Sequence, residues 1–87
     1  GDLAATRAAA AQFDGRARDV RARLVAPALA ARRAARAAFE SGAADILRLL
    51  DAERVATDAE RLAIALEIDA VQAAIDARLA AGEDPLP

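Results

Sequence analysis

The sequence contains no cysteine, histidine, methionine, tryptophan, tyrosine or lysine, and its only aromatic residues are Phe13 and Phe39. Without histidine or cysteine it has no donors for the usual zinc, haem or iron–sulfur sites. The same absences exclude a Ser-His or Cys-His nucleophile pair. Carboxylates alone bind hard cations, but no Asp-x-Asp-x-Asp-Gly loop is present. We therefore expect no enzyme activity, no metal ion and no cofactor.

Long apolar runs and targeting segments are also missing. No uncharged run reaches the roughly 18 residues that a membrane-spanning helix requires, and no basic-then-apolar signal peptide opens the chain. The absence of cysteine fits any compartment. These features by themselves assign no location.

Alanine makes up about a third of the 87 residues, and the net charge is −2. Alanine is the best helix former, but its side chain buries almost no apolar area. Such a chain forms helices readily around a thin core, and small domains are marginally stable even with ordinary cores. We therefore expect a single all-α domain over residues 1–87 that relies on partners or on copies of itself.

The first predicted arm runs over residues 3–40, with Asp2 as its N-cap. Gly15 and Pro27 interrupt this arm. Proline removes an intrahelical hydrogen bond and clashes with the preceding turn, which predicts a kink or a break near residues 25–27.

The second predicted arm runs over residues 45–81, after a tip at 41–44 and before a tail at 82–87. Gly42 suits the left-handed conformation that ends a helix, and Asp45 suits an N-cap. Gly82 and Pro85 are placed to end the second arm. A connection this short makes the arms antiparallel, which gives an αα-hairpin. The alternative is one long rod with Gly42 inside the helix.

The two arms carry opposite charge. Residues up to Phe39 sum to +5, and residues from Glu40 onward sum to −7. A basic arm folded against an acidic arm gains a favourable field, although an exposed pair contributes only about 0–1 kcal/mol. The arginine clusters have no interleaved aromatic residues for base stacking, so we expect no nucleic-acid partner.

Uncharged residues recur along the first arm at spacings of three or four, which predicts a coiled-coil-like seam. The members of this seam are Phe13, Ala17, Val20, Leu24, Ala28, Ala31, Ala35 and Phe39.

The second arm carries two apolar stripes on nearly opposite sides of the helix. The first stripe consists of Ile64, Ile68, Val71, Ile75 and Leu79. The second consists of Val55, Ala59, Leu62, Leu66, Ala70, Ala73 and Ala77. A helix with two opposed stripes expects a neighbour on each side, so we predict a homo-oligomer through the first stripe, most simply an antiparallel four-helix dimer. Alternatively, the alanine-rich stripe reflects helix propensity alone.

The tip and the segment after it resemble the TolC family of outer-membrane efflux proteins. The matching residues are Phe39-Glu40-Ser41-Gly42 and Leu47-Arg48-Leu49-Leu50-Asp51-Ala52-Glu53-Arg54. The family usually has Tyr where Phe39 stands and Gln where Glu53 stands. Upstream Val25-Ala26-Pro27-Ala28 and downstream Ala81-Gly82 also resemble family features, so the resemblance covers nearly the whole chain.

The resemblance implies a periplasmic coiled-coil hairpin within a trimeric outer-membrane channel, whose membrane barrel this chain does not contain. Solutes would pass outward through the channel. The tip would dock on a periplasmic adaptor that links it to an inner-membrane pump. The implied docking residues are Phe39, Ser41, Gly42, Ala43 and Ala44.

The chain also departs from the family pattern. Ala43 and Ala44 stand where well-known members have polar or charged gating residues, and Arg48 stands where some members carry an acid. Asp51 and Arg48 are candidate lumen-facing residues, with Asp51 part of a selectivity ring. Alternatively, Asp51 pairs with Arg48 or Arg54 on the helix surface. The rival function for the whole chain is a stand-alone hairpin that dimerises as a protein-interaction module.

Overall fold

The computed structural model describes residues 2–82, and their side chains from residue 3 onward. Helix α1 spans Asp2–Val20 and a π-helical turn spans Arg21–Val25. Helix α2 spans Ala26–Glu40, and α3 spans Ile46–Ala80. The described residues contain no strand. The predicted all-α antiparallel hairpin is thus confirmed, with arm 1 formed by α1, the π turn and α2, and arm 2 formed by α3. The predicted capping by the side chain of Asp2 and the stop at Pro85 lie outside the described residues.

The tip is built by local capping interactions. Gly42 has a φ of 80°, and the N–H of Ala43 donates to the carbonyl of Ala38 at 2.8 Å. Asp45 is extended, and its carboxylate accepts a hydrogen bond from the N–H of Arg48 at 3.0 Å. The end of α2 and the start of α3 therefore both have hydrogen-bond partners for backbone groups that a helix terminus would otherwise leave unpaired. The predicted glycine turn and N-cap are both present.

The interruption predicted in arm 1 is a π turn, and the helix does not break. The N–H of Ala26 donates to the carbonyl of Arg21, five residues back. Pro27 follows at once, and its ring would crowd the preceding turn of a regular α-helix. A wider turn at this place relieves that contact. The interruption predicted at Gly15 is wrong, because Gly15 lies within α1.

Alanine supplies six of the seven described residues that are buried in the contact between the arms. These residues are Ala17, Val25, Ala28 and Ala35 from arm 1 and Ala56, Ala63 and Ala73 from arm 2. Ala56 and Ala63 have no exposed surface, whereas no large side chain is fully buried. Small side chains let two helix backbones approach closely, and that approach excludes larger groups.

Two parts of the predicted seams are therefore wrong. Leu24 is 49% exposed, because the extra residue in the π turn rotates Val25 inward instead. Ala31 is also exposed. On α3, Val55 and Leu62 remain exposed, and the neighbouring alanines Ala56 and Ala63 take the inward positions.

Candidate functional site

Within residues 3–82, four contacts between three arginines and three glutamates join the arms along one face of the hairpin, and we call them the Arg–Glu ladder. Arg21 donates two hydrogen bonds to Glu67, at 3.0 and 2.7 Å. Arg36 donates to Glu53 at 2.6 Å. Arg32 lies 3.9 Å from Glu53 and 3.7 Å from Glu60. The glutamates are seven residues apart, so they lie on one side of α3 and fix the register of the arms.

The Arg21–Glu67 contact perturbs both of its members. The hydrogen bond from Arg21 lowers the pKa of the Glu67 carboxyl, and desolvation acts in the opposite direction. The same hydrogen bond raises the pKa of the Arg21 guanidinium. Both shifts favour the charged pair, and the bidentate geometry makes it the most strongly oriented contact of the ladder.

An open groove begins where the ladder ends. Seven residues after Glu67 stands Ala74, so the series of glutamates stops. The resulting base groove has a volume of about 830 Å³ between α1 and α3. Arg18 and Asp14 form an ion pair of 2.9 Å at its edge. Its apolar lining comes from Ala10, Ala17, Ala22, Ala70, Val71 and Ala74.

A ridge of large apolar side chains borders the base groove, and we call it the isoleucine ridge. It consists of Ile64, Ile68 and Val71, which are 48%, 62% and 61% exposed. Val71 lines both the base groove and a smaller depression along the ridge. The predicted oligomer stripe has two further members. Leu79 is as exposed as the ridge, at 57%, whereas Ile75 is half-buried. The ridge and the groove together form one continuous apolar surface.

A second groove opens nearer the tip. This tip groove has a volume of about 360 Å³, and its lining includes Ala31, Ala34, Ala52 and Val55. Val55 precedes Val71 by sixteen residues, which at about 100° per residue places them roughly 160° apart around α3. The outer rims of the two grooves therefore lie on nearly opposite sides of α3, whereas Ala52 and Ala70, eighteen residues apart, point in the same direction.

The candidate lumen residues Arg48 and Asp51 also line the tip groove. Asp51 accepts a hydrogen bond from Arg54 at 2.8 Å, and this contact raises the pKa of Arg54. Pairing of Asp51 on the helix surface, one of the two alternatives above, is thus present. The role of either residue in a lumen stays a prediction.

The predicted docking residues lie together at the turn. Phe39 is 40% exposed. Ser41, Gly42 and Ala43 are exposed, and Ala44 is half-buried. The Ser41 hydroxyl donates to the carbonyl of Ala38 at 3.0 Å. The surface is accessible, and its contact with an adaptor stays a prediction.

Sequence reasoning missed the base groove. The sequence contained one signal of this groove. Glu53, Glu60 and Glu67 follow one another at spacings of seven, and Ala74 takes the next position, where the ladder ends. Among the described residues, no three acidic, cysteine or histidine side chains are placed to hold a metal ion. In the same part of the chain, no helix combines the length and the hydrophobicity needed to cross a bilayer.

The resemblance noted in the sequence has no support from comparison with known proteins. No family model, no curated protein and no solved structure matches this chain.

Proposed function

We propose that this hairpin is an assembly element, which packs side by side with other helices through the apolar surfaces that its own fold leaves open. One observation carries this proposal. Among the described residues, eleven large apolar side chains are exposed, including Ile64, Ile68 and Val71, whereas six of the seven buried residues are alanine. Residues such as Ile68 and Val71 contribute little to the hairpin itself, and their burial requires another molecule.

The total surface supports the same function. The chain exposes 6024 Å², whereas a compact monomer of 9.0 kDa exposes roughly 4,900 Å². Large contiguous apolar patches on a small protein mark sites of interaction. The base groove and the isoleucine ridge form such a patch.

Site-specific photo-crosslinking in cells that produce the chain tests this function. A photoreactive residue at Ile68 should form cross-linked products several-fold more efficiently than one at Arg33, which is exposed on α2 away from both grooves. A second substitution, Ile64→Asp, should suppress the products formed from position 68. Equal yields at the two positions, or yields that Ile64→Asp leaves unchanged, would contradict the proposal.

A second candidate function follows from the outer rims of the two grooves, which lie on nearly opposite sides of α3. A helical hairpin in the wall of a barrel has neighbours on both sides, and here each side offers the rim of an apolar groove. This arrangement suits the periplasmic barrel of an outer-membrane efflux channel, which passes solutes outward and docks on an adaptor served by an inner-membrane pump. In that function the chain is located in the periplasm, as part of the outer-membrane protein.

Thiol cross-linking at the tip tests the second candidate. The chain has no cysteine, so Ala43→Cys introduces a unique thiol. In cells, this thiol should cross-link to a periplasmic adaptor protein, whereas Arg33→Cys should not. Cross-links that form only from positions 71–79, with none from position 43, would exclude adaptor docking at the tip.

A further inference from the structure

The geometry points to a second copy of this chain as the molecule that covers the base groove. The isoleucine ridge of one copy fills the base groove of the other, and the two hairpins lie with their tips at the same end. This inference rests on the proposed assembly function and names its partner.

Shape favours a second copy because the groove and the ridge lie side by side on one face. Ala70, Val71 and Ala74 line the groove, and Ile68 lies beside Val71 in the adjoining depression, within one helical turn of Ala70. A two-fold interface uses one patch on both molecules, so that patch must contain a projection and a matching recess. A two-fold axis parallel to the helices brings the ridge over the groove without any shift along the helix axis.

Charge selects this axis over the alternative. With the axis parallel to the helices, the ridge on arm 2 of each copy, at −7, enters the groove and so contacts arm 1 of the other copy, at +5. An axis perpendicular to the helices instead places arm 1 against arm 1 and arm 2 against arm 2. Juxtaposition of like charges disfavours that second arrangement. In the favoured dimer, α3 of each copy lies antiparallel to arm 1 of the other copy and parallel to its α3.

The available area is sufficient. The hairpin measures 60 × 23 × 15 Å, so an interface that covers a little more than half of one broad face reaches the roughly 800 Å² that each partner buries in a stable interface. The apolar groove and ridge occupy the half of this face that lies away from the tip. The Arg–Glu ladder runs from Glu53, nearer the tip, to Glu67, which also lines the base groove.

Sedimentation equilibrium on the purified 87-residue chain tests the dimer. The unmodified chain should have twice the monomer mass of 9.0 kDa. Val71→Asp places a charge at the interface in both copies and should raise the dissociation constant at least about 100-fold. Ile68→Asp should act in the same direction. Leu47→Asp is the matched control, because Leu47 is 70% exposed and lines neither groove.

Circular dichroism should show unchanged helicity in all three variants, since each substituted side chain is exposed in the hairpin. A chain that stays monomeric at every concentration, or a dimer that survives both Val71→Asp and Ile68→Asp, would overturn the inference. Photo-crosslinking from position 68 to a different protein, with a monomeric purified chain, would overturn the inference and leave the assembly function standing.

Energy transfer between tips tests the orientation. Dyes on Ala43→Cys in the two copies should lie about 20 Å apart when the tips share one end, given interaxial distances near 10 Å. The opposite orientation separates the tips by roughly 70 Å, because about 24 residues of helix lie between tip and groove on each copy. Efficient transfer supports the inferred dimer, and its absence in a dimeric sample refutes the orientation.

Discussion

Two glycines of this chain have opposite backbone environments. Gly42 has a φ of 80°, which other residues adopt only with strain. Gly15 lies inside α1, with open space where a side chain would project. We therefore expect Gly42→Ala to destabilise the hairpin by about 1 kcal/mol or more. Gly15→Ala should stabilise it by roughly 0.5–1 kcal/mol.

Urea unfolding of both variants at one protein concentration measures these changes. Both variants add one methyl group, so any general effect of that group on the free energy of unfolding is the same in each. The difference between the two variants therefore reports the backbone conformation at each glycine. Equal effects at the two positions would show that Gly42 does not take the left-handed conformation in solution.

Glu67 makes the stability of the hairpin depend on pH. Because Arg21 lowers the pKa of Glu67 in the folded chain, the unfolded chain binds more protons in acid. The contribution of this contact is fully present above the ordinary glutamate pKa near 4.3, and it is lost as the pH falls through the lower folded value.

Thermal melting between pH 6 and pH 3 tests this dependence. Glu67→Gln removes the titrating group, so its melting temperature should fall less steeply with acid than that of the unmodified chain. Glu40→Gln is the control, because no ion pair involving Glu40 occurs among the side chains described. Parallel pH curves for Glu67→Gln and the unmodified chain would rule out the contact as a source of acid sensitivity.

At the scale of the helices, the closeness of the two arms depends on alanine at the inward positions of α3. Ala63 has no exposed surface. Ala63→Leu adds three carbon atoms where no space exists, and overpacking of this kind costs about 1–3 kcal/mol. Chemical denaturation should therefore show a clear loss of stability.

Ala65→Leu provides the matched control on the same helix. Ala65 is exposed and lines neither groove, and leucine is nearly as good a helix former as alanine. Its stability should stay within about 0.5 kcal/mol of the unmodified chain. If both leucine variants behave alike, the arms do not pack through Ala63.

The elements of this fold differ in how far the sequence predicts them. Gly42 and Asp45 were predictable because their roles depend on local chemistry, a positive φ and a side-chain cap. The outward position of Leu24 could not be predicted from the sequence. A regular helical period does not allow for the extra residue that the π turn contains. The π turn becomes recognisable only when Ala17 and Val25, eight residues apart, are both seen to be buried.

The inward face of α3 was misassigned for a different reason. Hydrophobic periodicity favours large apolar residues as the core, and it therefore selected Val55 and Leu62. The structure buries Ala56 and Ala63 instead, because only small side chains fit where the two helix backbones lie close together. Ile64 and Ile68 are exposed, as expected for a stripe that the other arm does not cover, and the role of this stripe in an oligomer stays a prediction.

At the scale of the whole molecule, the hairpin is elongated. Its radius of gyration is 18.5 Å for Cα atoms, whereas a compact chain of this length has about 12 Å. Small-angle scattering from the monomeric Val71→Asp variant should give a value near that of the hairpin. A continuous rod would extend to roughly 120 Å, and a maximum dimension of that size would show that the tip does not turn.

The alanine core also determines how stability varies with temperature. The heat capacity of unfolding grows with the apolar area newly exposed, and an average chain of 87 residues would give about 1.0–1.3 kcal/mol/K. Here the isolated hairpin buries no large side chain fully, so unfolding exposes less additional apolar area than it does in an average chain. Calorimetry of the Val71→Asp monomer should yield a value below that range. The free energy of unfolding should therefore curve less with temperature. On cooling, the hairpin should lose less stability than a protein whose core consists of leucine and phenylalanine.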